Sequence, residues 1–157
     1  MLSLLSSVVW VDFFTILASK YITMGNSLNK WYEQFGIVGV ASDCLIIVLG
    51  ILLGKMLFPS ANGWNLVLVV IMVQLAHDIL FYFLIVKPLP TGTNKMIDLF
   101  KEYGNENGWK ILAYDSFMMA STVLLADVLE EYSVQEQSFV GLLGTYALTY
   151  VIYTKNL

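Results

Sequence analysis

The sequence predicts an all-α integral membrane bundle of about five transmembrane helices plus a short interfacial amphipathic helix, all within a single transmembrane domain over residues 1–157. Three observations predict it. Apolar residues make up 58% of the chain and charged residues only 13%, far from the balance of a soluble domain of this size. The apolar residues arrive in blocks of about twenty, the length that crosses roughly 30 Å of hydrocarbon at about 1.5 Å per residue. The blocks are continuously apolar rather than alternating, which excludes a membrane β-barrel as the spanning form.

The expected spans cover residues 2–22, 35–57, 66–86, 109–129 and 138–153. The first differs from a secretory signal, because no basic residue precedes its apolar run and Asp12 sits in its middle. Between the third and fourth spans, Pro88 and Pro90 stop the preceding helix, and Thr93 or Asn94 is placed to cap a new one. That helix, over about 94–103, puts Met96, Phe100 and Tyr103 on one face and ends at Gly104. The pattern most naturally suits a helix lying among lipid headgroups, although docking on a partner protein would need the same pattern. The fifth span is the shortest.

Orientation follows from the basic residues, all eight of which are lysine. With five spans, Lys20, Lys30, Lys87, Lys95, Lys101, Lys110 and Lys155 fall on one side, and only Lys55 falls near the other, where Glu130, Glu131 and Glu136 lie. The lysine-rich side is then cytoplasmic, with the amino terminus outside and the carboxyl terminus inside. Four or six spans would destroy this sorting.

The candidate site is built from acids inside the spans, because a carboxylate in lipid costs roughly 2.5 to 3.5 kcal/mol even on the lenient insertion scale. Each of the first four spans carries one near its middle: Asp12, Asp43, Asp78 and Asp115. All four fall roughly 9 to 13 Å from the same boundary at the helical rise, so they form a layer. Gln74, Asp78 and Tyr82 share one helix face, Asp12 shares a face with Thr15 and Ser19, and Asp115 with Met119 and Thr122. These faces are expected to point inward. Two readings of the layer stay open: interhelical hydrogen bonding that holds the bundle together, or a cation or proton site with His77 beside it. Taken alone, His77 is an ordinary packing histidine.

Packing signals accompany the acids. Gly36, Gly39, Asp43, Gly50 and Gly54 are assigned to one face of the second span, where another helix would press closely, and Gly141 with Gly144 gives the fifth span a smaller version. Met72, Met118 and Met119 read as gap fillers of a helical core, with no cofactor and no metal assigned. No lysine stands at mid-span to hold retinal. Tyr114 and Asp115 lack the Gly-x-Gly-Asp element that an intramembrane aspartyl protease would add. A single histidine excludes multi-histidine iron sites, and no phosphate loop or nucleophile elbow is present. The single Cys44 rules out dithiol chemistry, and a net charge of −4 with scattered lysines argues against nucleic acid. The expectation is therefore of a protein that is not an enzyme.

The run QLAHDILFYFLIV at 74–86, followed by Pro90, Gly92, Asn94, KMIDLFKEYG at 95–104, Glu106, Gly108 and AYDSFMMAS at 113–121, resembles uncharacterised multi-spanning membrane proteins of large DNA viruses infecting algae and other protists. The resemblance covers the third span through the fourth and carries no catalytic residue with it. It implies a structural protein of the internal membrane of a viral particle, with the lipid bilayer, viral capsid proteins or further copies of itself as partners and bilayer shaping as a role. The aspartate layer motivates the alternative, a small cation or proton channel or transporter.

Overall fold

A computed structural model describes residues 1–21 and 26–154. Ile22, the expected end of the first span, and Lys155, one of the sorted lysines, lie outside the described residues. Six α-helices follow one another: α1 (Leu2–Tyr21), α2 (Asn26–Leu57), α3 (Gly63–Phe81), α4 (Lys95–Asn107), α5 (Lys110–Glu130) and α6 (Val134–Tyr153). Residues Tyr82–Val86 continue α3 as one wide π turn, and no strand occurs among the described residues.

Among the described residues four helical segments are long and apolar enough to cross a membrane: α1, α2, α3 with its π extension, and α5. That is one fewer than the five expected. α6 has helical length, but Gln135, Gln137, Ser138, Thr145 and Thr149 dilute its apolar character. It also begins four residues before the expected start, because Ser133 and Glu136 form a reciprocal capping box that ends the preceding turn.

The helices alternate in direction. α1 and α5 are antiparallel, with Ser3 Oγ donating to Glu130 Oε1 at 3.3 Å. α2 and α3 are antiparallel as well, since Gly50 lies against Gln74 and Gly54 against Val70. α1 and α6 run parallel side by side. Ser6 Oγ donates to the Gln137 carbonyl at 2.8 Å, Trp10 Nε1 to that of Val140 at 2.9 Å, and Lys20 Nζ to that of Thr154. Gly141 and Gly144 permit this approach, because a Cβ at Gly141 would fall 2.5 Å from Ser6 Oγ and one at Gly144 2.9 Å from Val9 and Trp10. Two apolar clusters fill the interior. One joins Val8, Ile47, Ile51, Val70 and Met119, and the other joins Ile16, Trp31, Val40, Leu148 and Ile152.

α2 is broken at Gly36, whose φ of 50° and ψ of −130° suit glycine alone. The break folds residues 26–35 back along the following arm. Trp31 thereby donates from Nε1 to Asp43 Oδ2 at 3.0 Å, although twelve residues of straight helix would separate the pair by about 18 Å. The expected single glycine face of α2 is corrected here. Gly36 packs under Tyr153 of α6, Gly39 under Trp31 of its own helix, Gly50 against Met119 of α5 and Gly54 against Val70 of α3. The glycines serve four separate contacts: Gly36 at the break meets α6, Gly39 meets the folded-back arm, and Gly50 and Gly54 further along meet α5 and α3.

α4 is capped by Asn94, whose side chain accepts from the Met96 and Ile97 amides, and it runs past Gly104 to Gly108, which ends it at a φ of 54°. Its apolar face packs on the bundle itself. The Phe100 ring lies 5.0 Å from that of Trp31 and 5.8 Å from that of Phe81, while Ile97 and Leu99 are buried. At the helix's other end Glu106 accepts from the Asn26 and Ser27 amides at 2.7 and 2.9 Å and from the Ser27 hydroxyl, and Lys30 pairs with Glu102 at 2.6 Å.

Outside, the surface is apolar. Leu45, Leu49, Leu68, Phe117, Phe139 and Leu142 all face outward, which reverses the soluble arrangement and matches a hydrocarbon surround for a multi-pass membrane protein. Met72 belongs to this outer surface, 71% exposed, and not to the core where it was expected. Met118 and Met119 are buried.

Candidate functional site

Each carboxylate of the layer is held by an element already described. Asp12 lies at mid-length of α1, fully buried, with Oδ2 accepting from Cys44 Sγ of α2 at 3.6 Å and Oδ1 without a hydrogen-bond partner among the described residues. Asp43 lies two turns past the Gly36 fold-back and takes the Trp31 indole N–H. On α3, Asp78 Oδ1 accepts from Gln74 Nε2 at 2.8 Å and lies 3.1 Å from His77 Nδ1, while Oδ2 has no partner among the described residues. Asp115 of α5 faces the same space as Asp78.

These groups face one internal cavity of about 800 Å³ between α1, α2, α3, α4 and α5. Asp12, Asp43, Gln74, His77, Asp78, Tyr82 and Asp115 all contribute to its wall. The four helices therefore bring their acids to a common space rather than to lipid, as the cost of an unsolvated carboxylate requires. Among the described residues no lysine lines the cavity, and no three His, Cys, Asp or Glu side chains converge closely enough to hold a metal ion. The acids instead form separate contacts, Asp12 with Cys44, Asp43 with Trp31, and Asp78 with Gln74 and His77. The packing glycines stand apart from this chemistry: Gly36, Gly39, Gly54, Gly141 and Gly144 do not line the cavity, and Gly50 approaches it only through Gln74, 3.6 Å from its would-be Cβ.

His77 is more engaged than its helical position suggested. Neighbours in sequence point about 100° apart around a helix, yet the long imidazole arm swings back to Asp78 while its ring stacks on Phe81 at 5.6 Å. Which ring nitrogen carries the proton sets whether it donates to Asp78. Tyr82 lies in the π turn, half in the cavity wall and 37% exposed, with its ring against the backbone at Gly104. Such single wide turns recur where a helix must re-aim a side chain.

Comparison with protein-family models, with curated proteins and with solved structures returns no match. The site is therefore read from its own residues.

Four wall residues are not placed at the site by the sequence. Trp31 and Tyr32 lie in a stretch that reads as a loop, and only the Gly36 break brings them under the cavity. Phe100 and Tyr103 belong to α4, whose apolar face was expected to meet headgroups or a partner. Burial pushes the Tyr103 phenol above its ordinary range, and the nearby Asp115 carboxylate adds to that, so Tyr103 stands in the wall as a neutral hydroxyl. The glycine at 36 was the one available signal, since an isolated Gly near the start of an apolar run marks a backbone irregularity.

Proposed function

We propose that the protein is a small multi-pass membrane protein that passes protons through its acidic cavity. One observation carries this reading: the intramembrane aspartates of four different helices, together with His77, share a single space. Separate carboxyl contacts, without a three-ligand cluster among the described residues, favour proton hand-off over coordination of a metal cation. Interhelical hydrogen bonding alone would leave each acid satisfied by a neighbour, whereas Asp12 and Asp78 each keep one buried oxygen free. The test is proton flux in liposomes containing the purified chain, read by a pH-sensitive dye. Asp43→Asn and Asp78→Asn lower the flux at least tenfold, and Asp127→Asn, on the exposed face of α5, leaves it unchanged. A folded protein without flux across a range of pH overturns the reading.

Five crossings belong to the same proposal, with α6 as the fifth and the amino terminus outside. The parallel course of α1 and α6 over their whole length supports it, because the first and fifth crossings of an alternating bundle point the same way. All the lysines but Lys55 then fall on the α4 side, which this reading makes cytoplasmic. The pattern across residues 74–121 supports placement in the internal membrane of a viral particle, where capsid proteins or further copies would be neighbours. Abundance in purified particles checks that placement, and absence from them rejects it.

A further inference from the structure

The cavity is far larger than a proton path requires. About 800 Å³ is the volume of a site for a drug-sized molecule, and ligand sites in general take roughly 300 to 1,000 Å³ with mostly apolar walls and a few convergent polar groups. Here the polar groups carry one sign: four carboxyl side chains, a single histidine, and no lysine among the described lining residues. The remaining wall is mainly aliphatic and aromatic, with the Trp31 and Phe100 rings 5.0 Å apart and Phe100 and Phe81 5.8 Å apart. A cation over such ring faces is attracted by their quadrupoles, and more strongly where water is excluded.

Two further observations point to a ligand rather than to packing. Asp12 is fully buried in the wall with Oδ1 unpartnered among the described residues, an arrangement that costs free energy and that a positive charge in the cavity would offset. At the other extreme, Ile79 and Phe83 line the cavity while remaining 48% and 54% exposed on the apolar outer surface. The mouth therefore borders the hydrocarbon side of the bundle, so its ligand partitions into lipid before it arrives.

We propose that this cavity binds a bulky hydrophobic organic cation, with the charge near Asp12 and Asp43 and the apolar substituents among Trp31, Phe81 and Phe100. The inference deepens the proton reading, on which its role in transport rests: the carboxyl groups that hold protons in the empty cavity would hold the cation when it is filled.

The experiment is calorimetric titration of the purified full chain in detergent with tetraphenylphosphonium, alongside tetraphenylborate, which has the same shape and the opposite charge. Saturable binding of the phosphonium at one site per chain is expected, with the borate at least tenfold weaker. Asp12→Asn and, separately, Asp43→Asn weaken phosphonium binding at least tenfold. Equal binding of both ions, or no saturable binding of either, overturns the proposal. The comparison of two ions needs no variant, so it decides even where a substitution prevents folding. Phosphonium binding without proton flux in liposomes overturns the transport reading and supports the site. Flux without phosphonium binding overturns the site alone.

Discussion

At the residue scale, the closest approaches in the bundle are set by hydroxyls meeting glycines. Ser6 donates to the Gln137 carbonyl from the place a Cβ at Gly141 would claim. Gly141→Ala must therefore displace either the hydroxyl or a helix, and overpacking of this kind costs about 1 to 3 kcal/mol. Ser6→Ala removes one interhelical hydrogen bond, worth about 0.6 kcal/mol in a membrane interior. Because the two changes act on one contact, their effects are not additive. The double variant is expected to unfold at a denaturant level above that of Gly141→Ala alone, read by the loss of tryptophan fluorescence. Additive losses would mean that the two side chains do not meet. The aspartates were legible at this same scale, since an acid within an apolar block is anomalous whatever surrounds it. Their partners were not. Cys44 and Trp31 reach Asp12 and Asp43 through tertiary contacts that no local spacing records.

At the scale of elements, α4 is tied to the start of α2 by one side chain. Hydrogen bonds from Ser27 and from the Asn26 amide hold the Glu106 carboxyl below its ordinary range, so the ionised form is the one that binds. A carboxyl whose folded pKa is depressed contributes above its unfolded pKa, and that contribution fades as pH falls through the folded value. Protection of the Asn26 and Ser27 amides against hydrogen exchange, corrected for intrinsic rate, should therefore fall as the solution is acidified below the ordinary glutamate range. Glu106→Gln should show the weakened protection at every pH. Protection that stays constant on acidification would refute the tie. Helix positions were largely readable from the apolar blocks, Pro88 and Pro90, and the Asn94 cap. Helix faces were less so: Met72 reads as a gap filler of the core, yet it lies about 200° around α3 from Gln74, so the inward Gln74–Asp78 face turns it outward. The fold-back of α2 was hidden for a related reason: Gly36 reads equally as a packing residue and as a break, and only the backbone distinguishes them.

For the whole molecule, the exposed apolar surface and the inward acids together define which solvent the chain is built for. The proposed five crossings make a direct topological prediction. With Cys44 replaced by serine, a cysteine introduced at Ala61 or at Tyr132 should react with a membrane-impermeant maleimide from the same side as the amino terminus, and one at Asn105 only after the membrane is opened. Reaction of positions 61 and 132 from opposite sides would exclude the arrangement. The side-by-side course of α1 and α6 has a consequence for biogenesis. Ser3, Ser6 and Ser7 are buried in α1, and Ser6 waits for a partner some 130 residues later in synthesis. Until that last segment emerges from the ribosome, the nascent chain holds an open seam with a hydroxyl stripe unsealed. Closure of the bundle thus waits on synthesis of α6, and a chain halted before Gly141 would present to cellular quality control the face by which unfinished copies are recognised.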